Sequence, residues 1–245
     1  MKNYVDKIAF AILFAIVIVV LNALYGNPIS KALAERGADK VIAEKYGDLD
    51  LSREKVFYNF KLPEYVVHLQ DKNSEDSAFE LCFDSFGRLQ RDTYDFRIDN
   101  TMMRFDDAIR DHGRGLEKAY DFPYQITLSF WDKIDPTEYL TVDQPVDIKH
   151  LPYKLEVQTF GERKITVEEA MAILKGLQQI MEDEGLDVMS YSLVSEPEDS
   201  RDEQGVLINP EDLFSVYEVP ADVVRRGDVD ALEKLAKEQM TEGKE

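Results

Sequence analysis

The chain has 245 residues, of which 49 are acidic and 29 basic, for a formal net charge of -20. Repulsion at that charge opposes binding to nucleic acid or to anionic lipid surfaces; it fits cationic partners or metal cations, and before those simple solubility. One cysteine, Cys82, excludes an intramolecular disulfide and a thiolate metal cluster, while 44% apolar and 11% aromatic residues suffice for real cores in one large or two small domains.

The chain opens with a short tail, residues 1–7, carrying Lys2 and Lys7. Residues 8–25 follow as IAFAILFAIVIVVLNALY, uncharged and with Asn22 as the one polar side chain. At about 1.5 Å per residue such a helix nearly crosses a hydrocarbon core of roughly 30 Å. No A-x-A pattern follows, since Leu21 stands where a small residue is wanted, and no cysteine begins a lipoprotein. An uncleaved transmembrane signal anchor is therefore expected ahead of a cleaved signal or a buried helix; a buried surface-packed helix would show a polar stripe. Lys2 and Lys7 favour a cytoplasmic N-terminus, but Lys31, Arg36, Lys40 and Lys45 follow closely, so counting charges does not decide the side; the short tail's resemblance to the basic start of a signal does. The expectation is a single-pass cell-membrane protein with most of the chain outside the cytoplasm.

After the anchor, Asn27-Pro28 supplies an N-cap and a first-turn proline for a helix with Ile29, Ala32, Leu33, Val41, Ile42 and Tyr46 on its apolar face. Gly47 can close this helix, and Gly37 weakens its middle. Alternation then predicts strands. Val56, Tyr58, Phe60 and Leu62 face one way, as do Tyr65, Val67 and Leu69 around His68, and Phe79, Leu81 and Phe83 between Glu80, Cys82 and Asp84. Asp84-Ser85-Phe86-Gly87 reads as a hairpin turn, and Leu89–Ile98 as the return strand with Tyr94, Phe96 and Ile98 inward. A helix over about Asn100–Tyr120 has Met103, Ala108, Ile109, Leu116 and Ala119 as apolar positions and is interrupted by Gly113-Arg114-Gly115. The break at Phe122-Pro123 marks the expected boundary between a first module, 26–122, and a second, 123–245.

In the second module, Ile126, Leu128 and Phe130 predict a strand, residues 133–152 a connecting loop with three prolines, and Tyr153, Leu155 and Val157 another strand. The best helix spans 166–184: Thr166 and Glu169 form a capping box, Ala170, Ile173, Leu174, Leu177, Ile180 and Met181 form one stripe, and Gly185 stands just past its end. Strands over Val188–Val194 and Leu213–Val219 flank an acidic loop, and a last helix carries Val229, Leu232, Leu235 and Ala236 before Thr241–Glu245 frays. The expected class is α+β: a transmembrane helix followed by two small modules of antiparallel sheet packed with amphipathic helices.

Several short stretches resemble the YfjL-like proteins, small membrane-anchored bacterial proteins of unknown function. They are Gly26-Asn27-Pro28-Ile29 after the anchor, Tyr46-Gly47 at the helix exit, Tyr58-Asn59-Phe60-Lys61, and the Thr166–Gly185 helix leading into Tyr191-Ser192-Leu193. The first module is also similar in architecture to PepSY or cystatin-like domains. The resemblance implies a membrane-anchored chain and transfers no catalytic residue.

The sequence nominates no catalytic, cofactor-binding or metal-binding residue. His68, His112 and His150 are dispersed and fit no metal-ligand spacing; no G-x-S-x-G stands in the chain, and Asp111-His112-Gly113-Arg114-Gly115 lacks the lysine of a phosphate loop. Cys82, between Leu81 and Phe83, reads as a packed thiol before it reads as a nucleophile. Asp106-Asp107 and Glu168-Glu169 are ordinary helix acids, and Trp131-Asp132 is a strand end. The loop Glu196–Glu203 offers oxygen ligands for calcium but lacks the EF-hand pattern, so a solvated acidic loop is the plainer reading. The expected role is non-enzymatic: a membrane-anchored extracytoplasmic domain that binds a protein, peptide or envelope component. A membrane-tethered hydrolase with converging carboxylates, or a cytosol-facing adaptor, are the alternatives. The expected partners are the membrane, through residues 8–25, and a protein or peptide, with no nucleic acid and no cofactor.

Overall fold

Lys2–Tyr25 form helix α1 in the computed structural model, which describes residues 2–130, 135–202, 204, 208 and 212–242. Two residues later Pro28–Lys45 form α2, and Gly26, at a left-handed φ of 75°, breaks the path between them. The α2 start is as the sequence predicts: Asn27 Oδ1 accepts the Ile29 N–H at 2.7 Å, with Pro28 in the first turn. The chain divides into two compact units. The first is Met1–Thr101 with Thr141–Asp143, and the second is Met102–Leu140 with Gln144–Glu245. The expected boundary at Phe122-Pro123 and this division differ chiefly in which unit takes most of one helix, α3 (Ile98–Ala119).

The first unit's sheet contains β1 (Leu51–Arg53), β2 (Phe57–Asn59), β3 (Glu64–Asp71), β4 (Phe79–Phe83) and β5 (Leu89–Asp92), all antiparallel in the order β1-β3-β4-β5. β1 and β2 both pair with β3, at its far and near ends, as one interrupted edge strand. The core lies between this sheet and α2, from Ala34, Ala38, Tyr46, Val56, Tyr65, Val67, Leu69, Phe79, Leu81 and Phe83. Small residues on α2 permit the approach. A Cβ on Gly37 would stand 2.4 Å from the Gly87 carbonyl oxygen, so this glycine is a contact requirement rather than a weak point.

Two alternations predicted from sequence stop early. β2 ends at Asn59, whose side chain accepts the Lys61 N–H at 3.1 Å and turns the chain, leaving Phe60 and Leu62 exposed. β5 ends at Asp92 rather than running to Ile98: Asp92 accepts the Tyr94 N–H, a 3-10 turn covers Tyr94–Arg97, and Ile98 begins α3. Tyr94 still packs on Tyr46 and Phe79, but Phe96 faces solvent. Along α3 the buried positions include Ile98, Thr101, Phe105, Ile109 and Leu116; Met103 and Ala119 are exposed, contrary to the apolar face drawn from sequence, which passed over Phe105. The helix also runs through Gly113-Arg114-Gly115 without interruption.

The second unit's sheet has order β6-β7-β8-β9, from β6 (Gln125–Phe130), β7 (Leu155–Gly161), β8 (Val188–Ser195) and β9 (Phe214–Pro220). Its outer pairs are antiparallel, but β7 and β8 run parallel, because α4 (Val167–Asp183) carries the chain back between them. The expected capping box is present at Thr166 and Glu169, and the whole predicted stripe from Ala170 to Met181 is buried. The C-terminal segment is two helices, α5 (Ala221–Arg226) and α6 (Val229–Glu242), divided by Gly227 at a φ of 66°. Leu232 and Ala236 are buried; α6 continues through Thr241 and Glu242 where fraying was expected, and residues 243–245 lie outside the described residues.

Helix side chains hold individual backbone groups at or beside the sheet edges. Glu35 of α2 accepts the Val56 N–H at 3.2 Å, and Glu117 of α3 accepts the Ile126 N–H at 2.7 Å. On β9, Gln239 of α6 both accepts the Tyr217 N–H and donates to its carbonyl, each at 2.9 Å. Glu218 there has a left-handed φ of 50°, and its N–H is taken by the Ser192 hydroxyl at 3.0 Å. Such a bulge turns Tyr217 away from β8, which is why a side chain must serve it.

Candidate functional site

The most distinctive surface is α1 itself. Side chains from Phe10 to Leu24, among them Ile12, Leu13, Phe14, Ile16 and Val19, are exposed on every side, and among the described residues none of the apolar run is buried within the protein. Among the described residues this is the one helix long and apolar enough to cross a membrane. Its junction with the first unit is built rather than loose. The Tyr65 hydroxyl accepts the Asn27 N–H at 2.7 Å, and the Tyr58 ring lies so close to Gly26 that any Cβ there would stand 2.7 Å from it. Tyr58 and Tyr65 are cross-strand partners with ring centroids 5.0 Å apart, so β2 and β3 together grip the exit of α1.

On the face of the first sheet opposite α2, register gathers the polar residues that the sequence showed only as alternate positions. His68 is paired with Glu80, and Cys82 with Val66 and Arg91. His68 Nδ1 lies 3.3 Å from Glu80, under the stacked Phe57 ring. Arg91 donates to Glu64 at 2.7 Å and to Cys82 Sγ at 3.1 Å. Burial pushes the Cys82 thiol up and outweighs the Arg91 hydrogen bond that lowers it, so the group is a protonated, packed thiol at neutral pH. Its polar neighbours are Arg91 and Glu80, with no histidine in hydrogen-bond reach. An open depression of about 390 Å³ at His68 is lined by Ser52, Glu54, His68, Leu69, Gln70 and Ala78.

The other residues singled out from sequence lie apart. His112 stands 3.9 Å from Glu184, which also accepts the Tyr120 hydroxyl at 2.9 Å; His150 pairs with Asp147 at 2.8 Å on the surface. Gly113 is where α3 meets β6: its Cβ would stand 2.9 Å from the Ile126 carbonyl oxygen. Asp106 pairs with Arg110, and Glu169 with Arg163. In the acidic loop, Glu196 is engaged by Ser200 at 2.7 Å and Arg201 at 2.9 Å, and these bonds, Arg201's first, hold its carboxyl below the usual range. Glu203 and Trp131-Asp132 lie outside the described residues. Among the described residues no group of three His, Cys, Asp or Glu side chains stands together as a metal site. In the second unit, a depression of about 510 Å³ is lined by Pro123, Tyr124, Gln125, Phe160, Gly161, Glu162 and Arg163, where Arg163 donates to the Tyr124 hydroxyl at 2.8 Å.

Residues 1–103 match the family model described as YfjL-like, N-terminal domain. The chain carries a YfjL-like N-terminal domain. The matched segment takes in α1, α2, the whole first sheet and the start of α3. Neither the curated proteins nor the solved structures contain a match.

Proposed function

We propose that this chain is a single-pass membrane protein whose α1 crosses the bilayer and whose two units recognise a protein, peptide or envelope component outside the cytoplasm, without catalysing a reaction. The observation that carries the reading is α1: an apolar helix exposed on all sides, which only a non-aqueous surrounding satisfies. The packed junction just beyond it supports it further: Asn27 is bonded to Tyr65 and Gly26 lies against Tyr58, which ties the exit of α1 to the first unit. The short N-terminal tail with Lys2 and Lys7 resembles the basic start of a signal sequence and favours an external location for both units, where a count against Lys31, Arg36, Lys40 and Lys45 does not decide.

Protease treatment of intact cells expressing a C-terminally tagged chain tests this. The tag is expected in the membrane fraction and lost on treatment. A tag that is membrane-bound yet cut only after lysis reverses the topology, and a tag released to the medium shows a cleaved leader. Turnover of a hydrolysable substrate by the purified chain, abolished by one carboxylate substitution, would overturn the non-enzymatic part.

A further inference from the structure

The first unit's sheet has two ends, and they differ in chemistry. At the end where α1 leaves, β2 and β3 are joined by Phe60-Lys61-Leu62-Pro63, immediately beyond the Tyr58 and Tyr65 rings that touch Gly26 and Asn27. The β4–β5 turn, Asp84-Ser85-Phe86-Gly87, comes to the same end: Phe83 pairs with Tyr65, and Gly87 lies against Leu33. Leu33 is five residues into α2, roughly 8 Å along its axis. Phe60, Leu62 and Phe86 are 56%, 57% and 72% exposed, and Ile29 on the first turn of α2 is exposed as well. The opposite end, where Tyr46 bonds Asp92, is closed by the β3–β4 connection Lys72-Asn73-Ser74-Glu75-Asp76-Ser77-Ala78, which carries no large apolar side chain. Phe96 is the large apolar residue exposed at that far end, and Phe57 lies partway along the sheet against His68.

We propose that the β2–β3 and β4–β5 turns form a second membrane contact, with Phe60, Leu62 and Phe86 seated in the zwitterionic interface of the bilayer that α1 crosses. The inference rests on the anchor reading. The chain itself sets the occupant: Tyr25 ends α1, Gly26 packs on Tyr58, and Phe60 is two residues beyond Tyr58, so the turn stands within about 10 Å of the point where the helix leaves the lipid. Water is the alternative surrounding, and it leaves three large apolar side chains exposed on one rim beside the helix exit. Lys61 and Arg88 flank them, Arg88 lying over the Phe86 ring, and such side chains lay their stems on an apolar layer while keeping charge in the headgroups. The overall charge of -20 does not forbid this, because charges beyond about 10 Å are screened and the lipid in question is neutral. Two contacts around α1 would fix the tilt of the first unit on the membrane, where a helix alone would let it swing.

The test is nitroxide labelling of the full chain, one chain per phosphatidylcholine nanodisc, with collision by oxygen compared with collision by a water-soluble nickel chelate. Cysteines replace Ile16, Phe60, Lys61, Leu62, Phe86 and Phe96 one at a time; the native Cys82 is buried and stays unlabelled. Lys61→Cys leaves every apolar residue in place, so its result does not depend on tolerance of the Phe and Leu changes. The label at 16 is expected to be oxygen-biased, those at 60, 61, 62 and 86 to show a several-fold higher oxygen-to-nickel ratio than the label at 96, and 96 to be water-like. An oxygen-biased 16 with 60, 61, 62 and 86 indistinguishable from 96 would overturn this proposal and leave the anchor standing. Turns shielded from both reagents would mean protein covers them, which also overturns it. A water-like label at 16 would remove the anchor reading and this one together.

Discussion

Alanine in place of Gly37 is expected to destabilise the first unit, although the same change in an isolated helix stabilises. Within a helix, glycine costs about 1 kcal/mol relative to alanine, so propensity alone predicts a gain of that size. In the folded chain the added Cβ falls 2.4 Å from the Gly87 carbonyl oxygen and 3.1 Å from the Phe83 ring. Neither neighbour can step aside cheaply. Gly87 is held at a φ of 74° and packs so closely on Leu33 that a Cβ on it would stand 2.4 Å from the Leu33 carbonyl oxygen, and Phe83 is fully buried. Overpacking of this kind costs about 1–3 kcal/mol and sometimes more, and a backbone clash belongs at the upper end. The net expectation is a loss of about 1–2 kcal/mol, from those two opposing effects. Gly115→Ala is the control, since that glycine is exposed in α3 with nothing within 4 Å of its Cβ, and it should gain up to about 1 kcal/mol. Native-state hydrogen exchange of the full chain in micelles reads both locally: α2, β4 and β5 amides for Gly37→Ala, α3 and β6 amides for Gly115→Ala. Protection should fall about tenfold in the first for each 1.4 kcal/mol lost, and rise in the second. A rise of protection in both would refute the reasoning, because it would mean α2 does not approach the β4–β5 turn as described.

Removing a tyrosine hydroxyl should have opposite signs at two sites. Tyr46→Phe loses a 2.7 Å bond to the Asp92 carboxylate and should cost about 1–3 kcal/mol, whereas Tyr153→Phe deletes a buried hydroxyl with no partner among the described residues and should be neutral or gain about 1 kcal/mol, both read by urea unfolding. At Asp92 burial raises the carboxyl, but bonds from Tyr46, Lys45 and the Tyr94 N–H outweigh it, so its folded value lies below the ordinary 3.8. Its contribution is therefore fully present above 3.8 and lost as pH falls through the folded value; Asp92→Asn should flatten that acid limb of a stability-versus-pH curve, and an unchanged limb would count against the assignment. Cys82 should resist a thiol reagent in the native chain and react only on unfolding, because its thiol is buried and protonated; rapid modification of the folded protein would contradict this.

What the sequence made legible follows from where local chemistry and tertiary packing agree. Thr166, Glu169 and the six-residue stripe of α4 specify the same helix from cap, period and stop, and Asn27-Pro28 does so for the start of α2. The misread positions are those where a short polar side chain bends the backbone out of an alternating run. Asn59 turns Phe60 and Leu62 outward, and Asp92 ends β5, and neither is visible to a count of alternate residues. Strand direction escaped for another reason: alternation in β7 and β8 is blind to parallel or antiparallel pairing, and the clue was the long helix between two adjacent strands. The glycines at 37 and 113 illustrate the same limit, since propensity marks them as weak points while the contacts with Gly87 and Ile126 make them necessary. At the candidate site, alternation did place His68, Glu80 and Cys82 on the polar face, but their meeting with Arg91 depends on cross-strand register, which the sequence leaves open.

The closed edges bear on how such a protein could recognise a peptide. Adding a strand to a sheet needs a row of free backbone donors and acceptors. The N–H of Val56, in the gap between β1 and β2, the N–H of Ile126, and the N–H and carbonyl of Tyr217 are held by Glu35, Glu117 and Gln239, so a strand pairing at those positions must first displace a helix side chain. Two of the three are carboxylates on N–H groups, the stronger kind of such bonds. Glu35 is further committed to Arg53, which also pairs with Asp39, so moving it would disturb the join of α2 to β1 as well. Recognition at these places therefore falls to side chains rather than to strand edges. On the proposed function, the side chains of the first unit that register brings together for a partner would be His68, Glu80 and Arg91 on the face away from α2, and a membrane contact through Phe60, Leu62 and Phe86 would hold that face at a fixed angle to the bilayer.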